Sequence, residues 1–303
     1  MLGISTCWWE NRCPHGNELI NDAIGLDLDG IELDYRITNL FYNQMRPRLN
    51  KDIKVLSIHN YFPRPEVRLS EKPSGDFFLL SSEDKEERSM AVKYSKQTIE
   101  QANNLEVVPV ILHLGRVDME NPIKAFRELY QKGKIGSDEG KEFINEQQKL
   151  RESKHRKNLD SVLSSLDRLN HEAEKKGVIL CIENRYYFHE IPSFDEIGLI
   201  LKEFKGGSIR YWHDVGHAEV QGKLGMPGQL ELLNSYSDNL AGVHIHDISG
   251  LEDHFSPGQG DFDFTILKES LKPSTVKILE IHNQRSTRDD LIKGIEYIRH
   301  RII

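Results

Sequence analysis

The sequence predicts one (β/α)8 domain, a TIM barrel, and three observations carry that prediction. Short apolar runs alternate with helix-patterned segments along all 303 residues, as expected of parallel strands joined by right-handed crossovers. Seven of the runs carry acids or histidines at their last position or two: Gly30-Ile-Glu-Leu-Asp-Tyr35, Val55-Leu-Ser-Ile-His59, Val110-Ile-Leu-His113, Val178-Ile-Leu-Cys-Ile-Glu183, Tyr211-Trp-His-Asp214, Val243-His-Ile-His-Asp247 and Val276-Lys-Ile-Leu-Glu-Ile-His282. A charge at the end of a buried strand is costly unless it is paired or holds a cation, and a parallel barrel gathers every strand end at one face. The length suits a single barrel, which needs about 250 residues. No low-complexity linker or composition break divides the chain, so residues 1–303 are expected to form one domain.

The elements follow in order. The first strand is expected over Leu2–Cys7, and the next helix around Glu18-Leu-Ile-Asn-Asp-Ala-Ile-Gly25, where apolar residues approach the helical period. Gly30–Tyr35 and Ile53–Asn60 are the second and third strands. A polar, proline-containing loop over 63–82 ends in Ser81-Ser82, a start signal for an amphipathic helix over 84–105. The fourth strand, Val107–Leu114, precedes a helical insertion over 119–177 with Leu159, Val162, Leu166, Leu169 and Ala173 at helical spacing. After the fifth strand, Val178–Asn184, Ser193-Phe-Asp-Glu196 reads as a capping box. It opens a helix to Phe204 that Gly206-Gly207 ends. Ile209–Val215, Leu240–Ile248 and Val276–His282 complete the strands, and a last helix runs from Ser286 or Thr287 to Arg301. The two long segments leave the C-terminal ends of strands, so both are expected to shape the substrate entrance.

Composition sets the boundaries. Apolar residues make up 38% and charged residues 29%, and no apolar stretch reaches the roughly 18 residues of a membrane span. Three cysteines without paired spacing make no disulfide framework, and the N-terminus has no signal-peptide pattern, so a cytoplasmic setting is expected. A formal charge of −8 disfavours nucleic acid as a partner. A small-molecule substrate is expected, and a homo-oligomer is left open.

Glu183, Asp214, His244 and Glu280 come from four different strands, the last four of the barrel. Three carboxylates and one imidazole suit a divalent ion such as Mn²⁺, Mg²⁺, Co²⁺ or Zn²⁺. His217, three residues after Asp214, reaches the same pocket from the loop and joins Glu183 and Glu280 as a catalytic candidate. Glu32, His59, His113, Arg185 and His246 are assigned to substrate contacts. Bland alternatives stand beside these readings. Glu32 can simply pair with Arg185 or Arg36, His246 can exchange roles with His244, and His59 and His113 can be plain hydrogen-bonded histidines. His254 is expected on a loop, where a histidine without a role is ordinary. Cys181 and Trp212 read as barrel-core residues.

At these residues the chain resembles the xylose-isomerase-like barrel superfamily, which holds sugar isomerases and epimerases and also endonuclease IV. The motifs are Ile182-Glu-Asn184, His213-Asp-Val-Gly-His217, Val243-His-Ile-His-Asp247, Asp253-His-Phe-Ser-Pro-Gly-Gln-Gly-Asp-Phe-Asp263, a connector into the seventh helix, and Leu279-Glu280. The resemblance implies that Glu183, Asp214, His244 and Glu280 hold the single metal of the sugar epimerases, with His217 touching substrate. It equally implies that His59, His113, His217 and His254, with Asp253 or Glu252, match further zinc ligands of endonuclease IV. The leading activity is then a metal-dependent sugar isomerase or epimerase. One Glu removes a proton next to a carbonyl, the other returns it, and the ion stabilises the enediolate between. The rivals are metal-assisted phosphodiester hydrolysis and a non-catalytic sugar-binding barrel.

Overall fold

The structure, a computed structural model, describes residues 1–107 and 109–302. Among the described residues there are ten strands: β1 Leu2–Ser5, β2 Gly30–Leu33, β3 Lys54–His59, β4 Pro109–Leu112, β5 Ile179–Glu183, β6 Ile209–Asp214, β7 Leu240–Ile245, β8 Asp247–Ser249, β9 Glu252–Phe255 and β10 Val276–Leu279. Eight of them close a barrel in the order β1-β10-β7-β6-β5-β4-β3-β2, every neighbour parallel. Each barrel strand falls inside a run expected from sequence. Val108, part of the expected fourth strand, lies outside the described residues.

Nine helices are described: α1 Gly16–Ile24, α2 Asn39–Met45, α3 Lys85–Asn104, α4 Ile123–Gln131, α5 Asp138–Lys176, α6 Phe194–Glu203, α7 Val215–Lys223, α8 Gln229–Tyr236 and α9 Arg288–Ile302. The helical insertion after β4 is therefore α4 plus a 39-residue α5. The Ser137 hydroxyl caps the start of α5 by accepting from the Gly140 N–H. Gly177 ends it in the left-handed conformation, φ 65°. Helix α3 falls inside the expected 84–105, and Asp84 is its cap, the carboxylate accepting from the Glu86 and Glu87 N–H groups. No helix among the described residues is long and apolar enough to cross a membrane.

Two expectations fail after β7. The chain does not run as a loop through His254; β8 and β9 form an antiparallel hairpin, and His254 is on β9. The Asp247 carboxylate stitches the following turn into place, accepting from the N–H groups of Gly258, Gly260 and Phe262. The seventh helix shrinks to a single 3₁₀ turn, Phe264–Leu267, because the hairpin and this knitted turn use up the connection.

The barrel interior is closed by Leu56, Ile111, Cys181, Trp212, Val276 and Ile278. Gly242 makes room for the Trp212 ring, since a Cβ there would lie 2.1 Å from it. Side chains two residues apart on a strand share a face. Ile111, Cys181, Trp212 and Ile278 therefore aim His113, Glu183, Asp214 and Glu280 into the mouth above the core.

Candidate metal centre

His244 is the hub of the mouth. It is fully buried. Its Nδ1 lies 2.6 Å from Glu183 Oε1, 3.1 Å from Glu280 Oε2 and 3.7 Å from Asp214 Oδ2. Its Nε2 lies 3.1 Å from Glu32 Oε2, and that carboxylate accepts from the Ser57 hydroxyl. Glu32, expected to contact substrate, is thus fully buried between His244 and Ser57, and the residues lining the cavity do not include it. Its partners are an imidazole and a hydroxyl, not Arg185 or Arg36.

The Asn184 side chain fixes the β5 and β6 ends against each other. Its Oδ1 accepts from the Asp214 N–H and the Tyr211 hydroxyl, and its amide donates to the Asp214 carbonyl. Asp214 Oδ1 caps α7 by accepting from the His217 N–H, which brings that imidazole over the mouth. The His217 Nδ1 lies 3.0 Å from the Asn184 carbonyl. Arg185 Nη1 donates to Glu183 Oε2 at 2.9 Å and Nη2 to Glu190 Oε1 at 3.0 Å.

The ligand atoms of Glu183, Asp214, His244 and Glu280 all lie within 4.8 Å of one another. Donors at the usual 2.0–2.6 Å from a shared cation are separated by at most about 5.2 Å, so this set fits a divalent ion. Three further groups meet the same limit: His59, His113 and Glu183; His217, Asp253 and His254; and His246, His254 and Glu280. Asp253, not Glu252, is the carboxylate beside His254, at 3.0 Å, while Glu252 pairs outward with Arg285 and Arg127. His246 lies 3.1 Å from both Asp214 oxygens and stacks on His254, which stacks in turn on His282.

Charge balance explains why this cluster calls for cations. Burial alone would lower the His244 pKa, but Glu280, Glu32 and the hydrogen bond to Glu183 outweigh it and hold the ring well above the ordinary histidine value. Burial would raise Glu183, yet its hydrogen bonds to His113 and His244 hold it well below the usual carboxylate range. Glu280 is held at about 2, against the cost of burial, by His244 and His254. His254 is raised to about 9 because Asp253 and Glu280 overcome its burial. His59, buried beside His113, is lowered to about 4. Protons on imidazoles neutralise the carboxylates here, and a divalent cation would do so with the same donors.

Above these groups is a cavity of about 280 Å³, lined among others by Tyr35, Arg185, Tyr187, His217 and His282. Asp76 comes from the loop after β3 and lies 3.7 Å from His113 and 3.8 Å from Arg185. Two residues here had no role assigned from sequence. His282 shares its strand face with Glu280, which was a usable signal; Asp76 had none beyond its place in a loop expected at the entrance.

Residues 23–301 match the signature of the xylose isomerase-like TIM barrel. The chain belongs to this family. An uncharacterised protein of Methanocaldococcus jannaschii is 30% identical over 153 residues, covering 48% of this chain and 55% of that protein. The chain thus spans about half the length of that curated relative. Among solved structures, a D-psicose 3-epimerase from Clostridium cellulolyticum H10 superposes with a TM-score of 0.67 at 13% identity, over 99% of each chain. A 3-keto-D-glucoside 4-epimerase from E. coli gives 0.67 at 14% identity, over 99% of this chain and 98% of the other. At such identities these two likenesses establish the shared barrel. Several structural neighbours of this family member are sugar epimerases.

Proposed function

We propose that this protein is a divalent-metal-dependent sugar isomerase or epimerase acting on a carbon–hydrogen bond next to a carbonyl. The observation that supports it is the strand order β5-β6-β7-β10. Glu183 and Glu280 stand at the two ends of that arc, with Asp214 and His244 between them. A substrate held over the middle pair meets one carboxylate from each side. Glu183, Asp214, His244 and Glu280 would hold the cation, which when bound supplies charge stabilisation to the carbonyl oxygen.

The chain's own groups do the rest. One glutamate accepts the proton as the C–H bond breaks, and the electron pair moves to the carbonyl oxygen. The other glutamate returns a proton to the opposite face, which inverts the carbon. Arg185, donating to Glu183 Oε2, holds that carboxylate in place at the edge of the cavity. His217 offers its Nε2 to a substrate hydroxyl. The expected result is exchange of a substrate C–H proton with solvent in the presence of Mn²⁺ or Co²⁺, followed by NMR in D₂O across a panel of ketoses and aldoses. Cleavage of abasic-site DNA without exchange on any of these sugars would overturn the proposal.

The three additional ligand groups favour one second reading, a multi-metal phosphodiester hydrolase. Metal content after dialysis separates the two. One tightly held ion per chain, unchanged in His217→Asn while turnover falls, fits the isomerase reading. Two or three ions, one of them lost in His217→Asn because the amide replaces an imidazole ligand poorly, fits the hydrolase.

A further inference from the structure

A second cavity, of about 530 Å³, opens beside the catalytic mouth between α5, α6 and the loop after β5. It shares Arg185, Tyr187 and Glu190 with the catalytic cavity, so these three residues line both cavities where they meet. From this arrangement we infer that the substrate is a glycoside or disaccharide whose second, neutral sugar ring occupies this cavity while the reacting ring sits over Glu183 and Glu280. The inference rests on the isomerase or epimerase reading above.

Size is the first argument. The catalytic cavity, at about 280 Å³, falls at the lower edge of the roughly 300–1,000 Å³ usual for small-molecule sites. The neighbouring cavity is nearly twice as large and directly adjoins it.

The chemistry of the lining is the second argument. The cationic groups here are already committed. Arg151 makes two hydrogen bonds to the Glu196 carboxylate and two more to the Phe188 and Glu190 carbonyls. His155 lies against Glu196 at 3.1 Å, and Arg185 is held by Glu183 and Glu190. The rim adds the exposed carboxylates of Glu152 and Asp195. A phosphate or carboxylate ligand would meet repulsion there, whereas hydroxyl groups find acceptors. Tyr187, Phe188 and Phe194 supply apolar ring faces against which the C–H face of a pyranose packs. Hydroxyl acceptors combined with aromatic faces, without a free cation among the described lining residues, describe a site for a neutral polyol ring.

The test compares solvent C–H exchange with fructose against exchange with isomaltulose and lactulose, whose ketose half carries a second hexose. In the wild type kcat/KM is expected to be at least about tenfold higher for one of the disaccharides, equivalent to about 1.4 kcal/mol of added transition-state binding. Met226→Trp, which adds bulk to the lining of this cavity, is expected to erase that preference. Direct titration of the metal-loaded protein with methyl β-glucoside and with glucose 6-phosphate adds a readout independent of turnover. Binding of the neutral glycoside, weakened in Met226→Trp, supports the inference; tighter binding of the phosphate sugar at this cavity overturns it. Exchange on fructose with no disaccharide preference, and no change of the ratio in Met226→Trp, overturns the second-ring site while the isomerase reading survives. Exchange on no sugar at all brings down both.

Discussion

Glu183→Gln and Glu280→Gln are each expected to slow substrate interconversion by about 10²–10⁴-fold, the range over which a positioned general base acts. The amide keeps the shape of the side chain and one oxygen donor, but it accepts no proton. Both residues are also in the group that fits a cation, so a loss of metal could mimic a loss of the base. Asp214→Asn separates the two causes. Asp214 is buried, caps α7 and belongs to the same four-residue group, but it has no proton-transfer duty in the proposed reaction. Excess Mn²⁺ should therefore restore Asp214→Asn in large part and neither glutamine variant. A two-base reaction adds a stereochemical signature. Each glutamine variant should lose exchange from one epimer and keep it from the other, because each epimer presents its C–H bond to a different carboxylate. Near-wild-type interconversion by either variant at saturating metal would remove that glutamate from the chemistry.

The barrel and the convergence of Glu183, Asp214, His244 and Glu280 at its mouth were legible in the sequence for one reason. In a closed parallel barrel, strand periodicity and strand ends carry both the fold and the site. Cys181 beneath Glu183, Trp212 beneath Asp214 and Ile278 beneath Glu280 follow from two-residue alternation alone. What escaped depends on contacts between distant segments. Glu32 ends a strand like the others, but a β2–β3 register shift between Ile31 and Glu32 pairs it with Ser57, whose hydroxyl donates to it, and no periodicity announces that shift. The β8–β9 hairpin was hidden because its strands are only three and four residues long and its anchor is one carboxylate, Asp247, reaching backbone N–H groups 11 to 15 residues away. Asp76 reaches His113 from a loop with no periodicity to read. The choice between Asp253 and Glu252 needed the hairpin as well, since neighbouring residues on a strand point to opposite sides.

Glu196→Gln is expected to destabilise the fold by about 3–5 kcal/mol, the usual cost of stripping one partner from a buried ion pair. Arg151 and Glu196 are 8% and 3% exposed and meet through two parallel hydrogen bonds of 2.9 and 2.7 Å. The same carboxylate accepts from the Ser193 N–H at the start of α6 and faces His155. One side chain thereby ties the long insertion helix α5 to α6, and Arg151 extends the tie to the carbonyls of Phe188 and Glu190 behind the catalytic wall. In the variant the guanidinium stays buried with its countercharge gone. The pH dependence has a definite sign. Burial would raise the Glu196 pKa, but the hydrogen bond and charge of Arg151 outweigh it and leave the value lowered. A group lowered in the folded state stabilises it above its unfolded value, about 4.3 for glutamate, and loses that contribution as pH falls through the folded value. Urea unfolding should therefore show the full gap between wild type and Glu196→Gln at neutral pH and a narrowing gap in acid. The double replacement Arg151→Met with Glu196→Leu should be more stable than either single change, because it removes both charges from the interior at once. If instead the double variant is the sum of the two single losses, the pair is held by packing of its aliphatic stems and not by charge, and the narrowing in acid should be missing too.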